Sequence, residues 1–532
     1  MSEARSSGLS RRRWLEFVGA AAGAAAVYPF MTTLGLAAES PYRGPLRLEG
    51  DPKGAKVVIL GAGLAGMTAA IELQRAGYQT QILEYNLRPG GRNWTIRGGD
   101  AFTELGGASQ TCEFDEGLYL NPGPWRIPYH HHALLDYCRR FGVALEPFLQ
   151  LNHNAFLHSE TAFGGKPQRI RDIKTDLNGG VSELLAKATH KGALDAELSA
   201  EDREILLEAL RGLGALDKDF RYRAGDVSAA YRGYTKAPGG GLGAAPVNGE
   251  PIGLADILTS RLWRGLQSFL LYDFQTTMFQ PVGGMGRIGE AFARQIPGVI
   301  RYGAKVTSIR QDEHGVTIVY EDQRAGGAVE TTTADWCVCT LPLSILSQIP
   351  LNVSPKMKAA VDAVPYSSSV RFGLQFKRRF WEEDERIYGG ISYTDLPIRQ
   401  ISYPSTGYFS GGKGVLLGGY VFGGPNAYEF TAMAPEERLR RAVEYGAKVH
   451  PQYAEEFENG VSVAWHKQPF TLGCAGDWSD AAREAHYDDL CQIDGRIVLA
   501  GEHASYIPAW QEGAILSSLD AITRLHRKVI AT

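Results

Sequence analysis

The chain has 532 residues and a formal net charge of −4, with 44% hydrophobic and 21% charged residues. This composition is typical of a globular protein with two or three cores, and the charge gives no reason to expect nucleic acid or an anionic membrane as a partner. The six cysteines show neither paired C-x-x-C metal spacing nor the density of a disulfide scaffold, so most are expected to be buried thiols.

The first segment predicts export from the cytoplasm. Residues 10–15 are Ser-Arg-Arg-Arg-Trp-Leu, and residues 18–36 are apolar and rich in alanine. This pattern resembles a twin-arginine signal peptide over 1–38, followed by a linker over 39–54. A membrane anchor is the alternative, but the stretch is only mildly apolar and Pro29 interrupts it. We therefore expect twin-arginine export machinery as a partner, a periplasmic or secreted mature chain, and no stable membrane span in it.

Residues 56–66 predict a strand that ends in a G-x-G-x-x-G turn, and the residues that follow have helical spacing. Gly61 allows the tight turn, Gly63 lets the backbone approach a pyrophosphate, and Gly66 lets helix and strand pack closely. The helix N-terminus adds N–H donors and a positive dipole. The turn is therefore expected to bind a dinucleotide.

A second predicted strand ends in Glu84, 18 residues after Gly66. That spacing is close to the one expected of an acid that accepts hydrogen bonds from a ribose hydroxyl. The alternative is a solvated carboxylate at the end of a strand. Strand, turn, helix and acid together predict a Rossmann-like domain.

Two segments are predicted to be insertions: a charged helical tract over 181–223 and a glycine-rich loop over 237–246, which is either a lid or a mobile surface connection. Beyond them, residues 305–309 and 316–320 alternate like strands, and 336–342 form a buried strand and turn. We expect these strands to return the chain to the nucleotide-binding sheet.

Further motifs follow in order: Arg-Pro-Gly-Gly-Arg at 88–92, Glu-Leu-Gly-Gly-Ala at 104–108, Gly501-Glu502, and Trp-Gln-Glu-Gly-Ala at 510–514. With the first turn, they resemble the flavin-dependent amine oxidase family, which includes monoamine, polyamine and L-amino acid oxidases. The resemblance covers nearly all of the mature chain and implies FAD rather than NAD.

The resemblance also implies which residues bind FAD. Arg92 and the Gly90-Gly91 turn would contact the pyrophosphate, since a guanidinium can bind phosphate oxygens in a bidentate fork. Val306 would meet the adenine side and Glu502 the ribityl chain; a surface role is the alternative for Arg92. The implied cofactor-binding residues are Gly61, Gly63, Gly66, Glu84, Gly90, Gly91, Arg92, Gly107, Ala108, Pro124, Trp125, Arg126, Val306, Trp465, Gly501, Glu502 and Ala514.

Residues 121–128, Asn-Pro-Gly-Pro-Trp-Arg-Ile-Pro, look like the G-P-x-R-x-P stretch of L-amino acid oxidases. Arg126 would then bind the substrate carboxylate, because an arginine in an apolar stretch is costly to bury without an anion. A salt bridge to a protein carboxylate is the alternative. Tyr420 matches the tyrosine that shares the carboxylate, and Trp510 the aromatic residue on the active-site side of the flavin.

The chain departs from the family pattern at two positions. Arg371 lies ten residues before Trp381, where most members have a lysine that holds a water against flavin N5. Arginine cannot release a proton at working pH, which favours a slower reaction with dioxygen. Cys474 lies nine residues after Trp465, where monoamine oxidases attach FAD through a thioether, although amino acid oxidases commonly hold FAD without a bond.

Residues 129–132, Tyr-His-His-His, are not expected to supply a general base or a metal site. His131 and His132 are expected on a helix surface, where neighbouring side chains point in different directions. His130 could face the pocket. His503, which follows the flavin motif, is a candidate for tuning substrate access.

The sequence thus predicts a two-lobed α+β flavoprotein. Its FAD domain comprises 55–112, 280–345 and 488–532; a substrate domain with a mixed sheet comprises 113–165 and 346–487; a helical insertion spans 166–279. The expected reaction is oxidative deamination of an L-α-amino acid, with dioxygen as electron acceptor and hydrogen peroxide as a product. The alternatives are an amino acid dehydrogenase, a 2-monooxygenase that forms an amide, an amine oxidase, and a non-catalytic flavin-binding protein. Dimerisation rests on family analogy alone.

Overall fold

The computed structural model describes residues 40–531, so the predicted signal peptide lies outside the described residues. The predicted linker contains no helix or strand over 40–54. It nevertheless packs on the body of the protein: buried Ser40 donates a hydrogen bond to Glu512 (2.5 Å), and the Tyr42 hydroxyl donates to Asp136 (2.7 Å). In the described part of the chain, no helix is both long and apolar enough to cross a membrane.

The first lobe is built on a six-stranded sheet in which five strands pair in parallel. Residues 57–60 are at most 1% exposed, because helices Leu64–Arg75 and Gln511–Ile530 cover one face and a second apolar cluster covers the other. Burial on both faces explains the continuous apolar run in the sequence. In spatial order the strands are Ile300–Tyr302, Gln79–Glu84, Lys56–Leu60, Trp336–Cys339, Ile497–Leu499 and Ile493–Asp494.

The strands predicted at 305–309 and 316–320 exist, but their predicted place was wrong. They belong to a separate antiparallel sheet of Ala304–Gln311, Val316–Asp322 and Ala328–Ala334. Short turns join the three strands, and a short turn permits only antiparallel pairing of neighbours. The chain returns to the six-stranded sheet afterwards, with Trp336–Cys339.

The second lobe contains the predicted mixed sheet, with seven strands. Ser369–Phe376 pairs antiparallel with two long neighbours, whereas Ile391–Thr394 pairs in parallel with Phe156–His158. Helices cover one face of this sheet, and an aromatic cluster covers the other. In spatial order the strands are Gln168–Arg169, Phe156–His158, Ile391–Thr394, Gln400–Ser402, Gly414–Phe422, Ser369–Phe376 and Phe457–Ala464.

The predicted insertion is helical, and the exposed glycine-rich loop connects a short hairpin within it. Its helices are Ile170–His190, Ala200–Leu213, Asp226–Arg232, Leu254–Ser260 and Arg264–Gln267, and its hairpin strands are Tyr234–Lys236 and Val247–Asn248. The next strand, Met278–Pro281, pairs with Ile127–Pro128 and Leu145–Phe148. The end of the insertion is therefore attached to the segment that contains Arg126.

The remaining regular elements connect and cover the two lobes. The helices are His132–Arg140, Gly286–Ala293, Leu343–Leu346, Pro355–Asp362, Phe380–Glu383, Gly424–Ala432, Pro435–Val449, Tyr453–Glu456 and Asp480–Cys491, and the short strands are Ile96–Arg97, Ala101–Thr103, Ser109–Thr111 and Tyr119–Leu120.

Candidate active site

The first glycine turn has two glycines that packing requires and one that faces open space. A Cβ on Gly66 would lie 2.0 Å from the Gly61 carbonyl oxygen, and Gly61 itself has a φ of +101°. No atom lies within 4 Å of the position that a Cβ on Gly63 would take. Gly63 therefore leaves room for a ligand to approach the backbone.

The second glycine turn lies against the first. Gly90 donates its N–H to the Ala62 carbonyl (2.8 Å), and Gly91 has a φ of +57°. The Glu84 carboxylate accepts from the N–H groups of Ala62 (2.6 Å) and Asn86 (2.7 Å), so it fixes the first turn. Its proposed contact with a ribose stays a prediction.

A cavity of about 1230 Å³, which includes space open to solvent, lies beside these turns. Thirteen of the residues selected from the sequence line it: Gly63, Gly90, Arg92, Pro124, Trp125, Arg126, Arg371, Tyr420, Trp465, Gly501, Glu502, Trp510 and Ala514. Residues more than 400 positions apart in the chain thus meet at one site. Gly61, Gly66, Glu84 and Gly91 belong to the two turns without lining the cavity.

Three further residues selected from the sequence do not line the cavity. Gly107 is exposed and Ala108 half-buried in the turn between strands Ala101–Thr103 and Ser109–Thr111. Val306 is buried in the separate antiparallel sheet, opposite Tyr320. Their contacts with a cofactor stay predictions.

An ion pair joins the second turn to the C-terminal flavin motif. Arg92 Nη1 lies 2.7 Å from Glu502 Oε1 and also donates to the Cys474 carbonyl (2.8 Å). Burial by itself would raise the pKa of Glu502, but Arg92, His503 and the Ala509 N–H hold that pKa below its ordinary value. The carboxylate therefore stays charged and orients Arg92 in the cavity wall.

Arg126 is 8% exposed and lies between two aromatic rings. Its guanidinium carbon is 4.9 Å from the centre of the Trp125 ring and 4.2 Å from that of Phe274, within cation–π range. Nη1 donates to Oε1 of Gln150 at 2.8 Å. The rings and this amide orient the guanidinium at the cavity wall.

Tyr420 and Arg371 are paired residues on adjacent strands, so their side chains share one face of the seven-stranded sheet. Arg371 is 3% exposed, and its guanidinium carbon is 3.5 Å from the centre of the Tyr420 ring. Among the described residues, Nε and Nη1 of Arg371 have no hydrogen-bond partner. Burial raises the pKa of Tyr420 despite this guanidinium, so the hydroxyl stays protonated and can donate.

Trp465 and Cys474, the two residues that bear on covalent attachment of the cofactor, both line the cavity. Trp465 donates its indole N–H to the Pro122 carbonyl (2.8 Å). Burial raises the pKa of the Cys474 thiol, although Arg371 and Arg92 oppose the shift. The raised pKa lowers the fraction of reactive thiolate.

The prediction that His131 lies on a helix surface was wrong, because the helix begins only at His132. His130 and His131 precede it and are buried, whereas His132 is half-buried. The His131 ring packs edge-on against Trp510, and His130 Nε2 lies 3.1 Å from Asp273 Oδ1. Burial holds the pKa of His131 well below its ordinary value, so its ring is neutral.

Because His130 and His131 precede the helix, helix geometry does not point their side chains in different directions. Atoms of ligand type on His130, His131 and Asp273 lie within 4.8 Å of one another. The hydrogen bond between His130 and Asp273 and the packing of His131 on Trp510 account for this arrangement.

Several residues that line or order the cavity were not selected from the sequence. Asn93 lies just after the second glycine turn and contacts Gln511 (2.6 Å), and Thr340 directly follows the parallel strand Trp336–Cys339, so two positional signals existed. Phe274 and Gln150 reach Arg126 from distant segments. No local pattern could have identified them.

The model of the flavin containing amine oxidoreductase family matches residues 64–525. The chain belongs to this family. An L-amino-acid oxidase of Siganus canaliculatus is 27% identical over 480 residues, which cover 89% of this chain and 86% of that relative. One of Gloydius blomhoffii is 27% identical over 503 residues and 91% of each chain. The structure of wild-type putrescine oxidase bound to putrescine aligns with a TM-score of 0.56, 16% identity, and coverage of 90% and 99%, a likeness of fold.

Membership of this family implies a flavin cofactor, and the site fits one. Gly63 leaves backbone open to a pyrophosphate, Arg92 supplies a cation beside it, and the helix Leu64–Arg75 starts at the same turn. Membership of this family identifies the protein as an oxidoreductase.

Proposed function

We propose that the protein catalyses the FAD-dependent oxidative deamination of an L-α-amino acid to a 2-oxo acid, ammonia and hydrogen peroxide. The observation that carries the proposal is Arg126, a buried guanidinium at the cavity wall that lies between the Trp125 and Phe274 rings and donates to the Gln150 amide. A substrate carboxylate is a suitable anion for such a site. The relatives named as L-amino-acid oxidases support the same class of substrate.

The same residues weigh against a simple amine as substrate. An amine without a carboxylate would leave the cationic side chains of Arg126 and Arg371 facing it. Putrescine is the ligand of the solved putrescine oxidase, with which this chain shares only the fold.

In the proposed reaction, Arg126 binds the carboxylate in a fork and the protonated hydroxyl of Tyr420 donates to it. The rings of Phe274 and Trp510, whose centres are 6.2 Å apart, wall the cavity and limit the access of water. A flavin bound in the cavity would supply the acceptor for the hydride that leaves the substrate Cα. The substrate amine must be neutral so that its lone pair can assist, and water then converts the imino acid to the 2-oxo acid and ammonia.

We further propose that FAD is held without a covalent bond. The raised pKa of Cys474 disfavours the thiolate that would form a thioether. Denaturation in acid tests this: non-covalent FAD stays in the supernatant, whereas a thioether would leave yellow protein in the pellet.

A second candidate is an amino acid dehydrogenase that passes its electrons to a quinone or a protein. The observation in its favour is Arg371, which lines the cavity where most family members have a lysine. An amino acid 2-monooxygenase would use the same carboxylate site.

The deciding experiment is anaerobic reduction of the purified yellow protein by a panel of L-amino acids and simple amines. Air is then admitted while the flavin spectrum, peroxide and organic products are recorded. Bleaching by an L-amino acid with fast, peroxide-yielding recovery supports the oxidase. Slow recovery favours the dehydrogenase, and an amide product the monooxygenase. Bleaching by carboxylate-free amines alone would refute the role proposed for Arg126.

A matched pair of variants tests the carboxylate site directly. Arg126→Gln removes a buried charge at the cavity, whereas Arg287→Gln removes an exposed one on the helix Gly286–Ala293. We expect Arg126→Gln to lower kcat/KM for L-amino acids at least about a hundredfold, since loss of a buried charge pair costs roughly 2–5 kcal/mol. Arg287→Gln should stay within about twofold of the parent, as surface charges contribute little.

We also propose twin-arginine export to the periplasm or the medium, supported by the arginine run and the apolar stretch of the sequence. A homodimer is proposed from family analogy, and sedimentation of the purified protein tests it.

A further inference from the structure

The charged residues that line the cavity are unbalanced. Within the described part of the chain they are three arginines, Arg92, Arg126 and Arg371, and one acid, Glu502. Glu502 pairs with Arg92 at 2.7 Å. A substrate α-carboxylate at Arg126, as the proposed function has it, still leaves the charge of Arg371 without a counter-ion in the cavity lining.

Arg371 is a buried cation whose surroundings are aromatic. Its guanidinium carbon is 3.5 Å from the centre of the Tyr420 ring and 5.3 Å from that of Trp125. Nε and Nη1 have no hydrogen-bond partner among the described residues, and only 3% of the residue is exposed. Neutral acceptors could satisfy these N–H groups, and an anion would in addition offset the part of the cost of burying the charge that the two rings do not offset.

Arg371 and Arg126 approach the same indole ring. Their guanidinium carbons lie 5.3 and 4.9 Å from the centre of Trp125, so they are at most about 10 Å apart. The carboxyl carbons of L-glutamate are four C–C bonds apart, about 5 Å when extended. Forked ion pairs with N···O distances of about 2.8 Å place each carboxyl carbon about 4 Å from its guanidinium carbon. A single dicarboxylic amino acid can therefore reach both arginines.

We propose that the cavity selects L-amino acids with an acidic side chain, with Arg126 binding the α-carboxylate and Arg371 the side-chain carboxylate. The inference rests on the proposed function, since it assigns the substrate class of the same site. Arg371 then determines specificity by charge, and the neutral amides L-glutamine and L-asparagine are the analogues that it discriminates against.

The test on the unaltered holoenzyme is anaerobic flavin reduction by L-glutamate and L-aspartate, each compared with its amide. We expect the better of the two acids to reduce the flavin at least about tenfold more efficiently than its amide, the ratio that corresponds to about 1.4 kcal/mol. Amides that match or exceed their acids would overturn the inference while leaving the proposed function intact. If carboxylate-free amines alone reduce the flavin, the proposed function fails, and this inference fails with it.

Two variants then assign the preference to Arg371. Arg371→Met keeps an unbranched apolar side chain without the charge, and the ratio of kcat/KM for the acid to that for its amide should fall to about one or below. Arg371→Lys keeps the charge and should retain part of the preference. Equal slowing of acid and amide in Arg371→Met would overturn the inference, because it would show that Arg371 acts on the flavin.

A binding measurement provides a readout that does not depend on turnover. Glutarate and succinate, titrated into the oxidised holoenzyme, should perturb the flavin spectrum at concentrations at least about tenfold lower than valerate and butyrate, their monocarboxylate counterparts. Arg371→Met should abolish this difference. Equal affinities in the unaltered enzyme would contradict a second carboxylate site.

Discussion

Arg126 is oriented at the cavity wall by two aromatic rings and an amide. Two rings lie within 5 Å of its guanidinium carbon, and Gln150 accepts one N–H. Gln150 also donates to the Tyr393 hydroxyl (3.4 Å), so its amide is itself oriented. We therefore regard Gln150 as a positioning residue for the carboxylate site.

This role predicts the effect of Gln150→Glu, which places a carboxylate where Arg126 now meets an amide oxygen. The new carboxylate should compete with the substrate, raising KM at least about tenfold with kcat changed by less than about threefold. Steady-state kinetics with the best L-amino acid measures both constants. Gln150→Met, which removes the hydrogen bond without adding charge, is the control; equal effects of the two variants would contradict competition.

A second prediction at this scale concerns pH and the buried His503. Burial lowers the pKa of His503 to about 4, although Glu502 opposes the shift, so the folded protein keeps this ring neutral. The unfolded chain takes up a proton below about pH 6.5. His503 therefore makes the protein less stable as pH falls from about 6.5 to 4, by at most about 3 kcal/mol.

Thermal unfolding of His503→Asn between pH 7.5 and 5 tests this. The variant should lose less stability on acidification than the parent, whereas His314→Asn, at an exposed histidine, should follow the parent. Burial also lowers the pKa of His450 to about 3, so the stability of His503→Asn should still fall to some extent as the pH falls. An unchanged slope in His503→Asn would show that His503 does not contribute.

At the scale of elements, glycine has two different roles in the turn between the strand Lys56–Leu60 and the helix Leu64–Arg75. Gly66 has no space for a side chain because the Gly61 carbonyl fills it. Gly63 has an ordinary φ of −72° and open space beside it. One glycine serves packing, and the other leaves room for a ligand.

Alanine at each position should distinguish these roles. Gly63→Ala should preserve the unfolding temperature of the apoprotein and weaken FAD binding at least about tenfold, since a methyl group would occupy the space expected for the pyrophosphate. Gly66→Ala should destabilise the fold by roughly 1–3 kcal/mol through overpacking. The ratio of flavin to protein absorbance and thermal unfolding measure the two effects. Full flavin content in Gly63→Ala would contradict the assigned turn.

At the scale of the whole molecule, the cavity is assembled from both lobes and the insertion. The first lobe supplies the glycine turns and Glu502, the seven-stranded sheet supplies Arg371 and Tyr420, and Phe274 comes from the end of the insertion. A site of this kind exists only when the chain is folded. Export of the folded protein with its flavin already bound is consistent with that requirement.

The export proposal predicts the behaviour of a chain with Arg11→Lys and Arg12→Lys. The periplasmic protein should be lost, while yellow protein accumulates in the cytoplasm, because the signal and not the fold is changed. Cell fractionation with flavin fluorescence measures both pools. Arg43→Lys with Arg47→Lys, beyond the predicted signal, is the control; unimpaired export of the first variant would refute the twin-arginine assignment.

Local sequence determined the features that depend on continuous segments. The glycine turn, the acid Glu84 and the helical insertion follow from spacing and apolar pattern, which constrain the backbone within a few residues of one another. The family resemblance added Arg92, Arg126 and Glu502, which the structure brings to one cavity. The patterns at 305–309 and 316–320 identified two strands but not their sheet, since alternation specifies a face and not a partner.

Tertiary structure alone decided the remaining features. Arg371 and Arg126 both approach Trp125, Phe274 packs on Arg126, and His131 is buried against Trp510. Each of these arrangements joins segments that are far apart in the sequence. Hydrophobic packing of whole elements brings such segments together, and no local pattern records which distant side chains will meet. The sequence therefore determined the cofactor class and the fold, and the folded chain decided the charge and shape of the pocket.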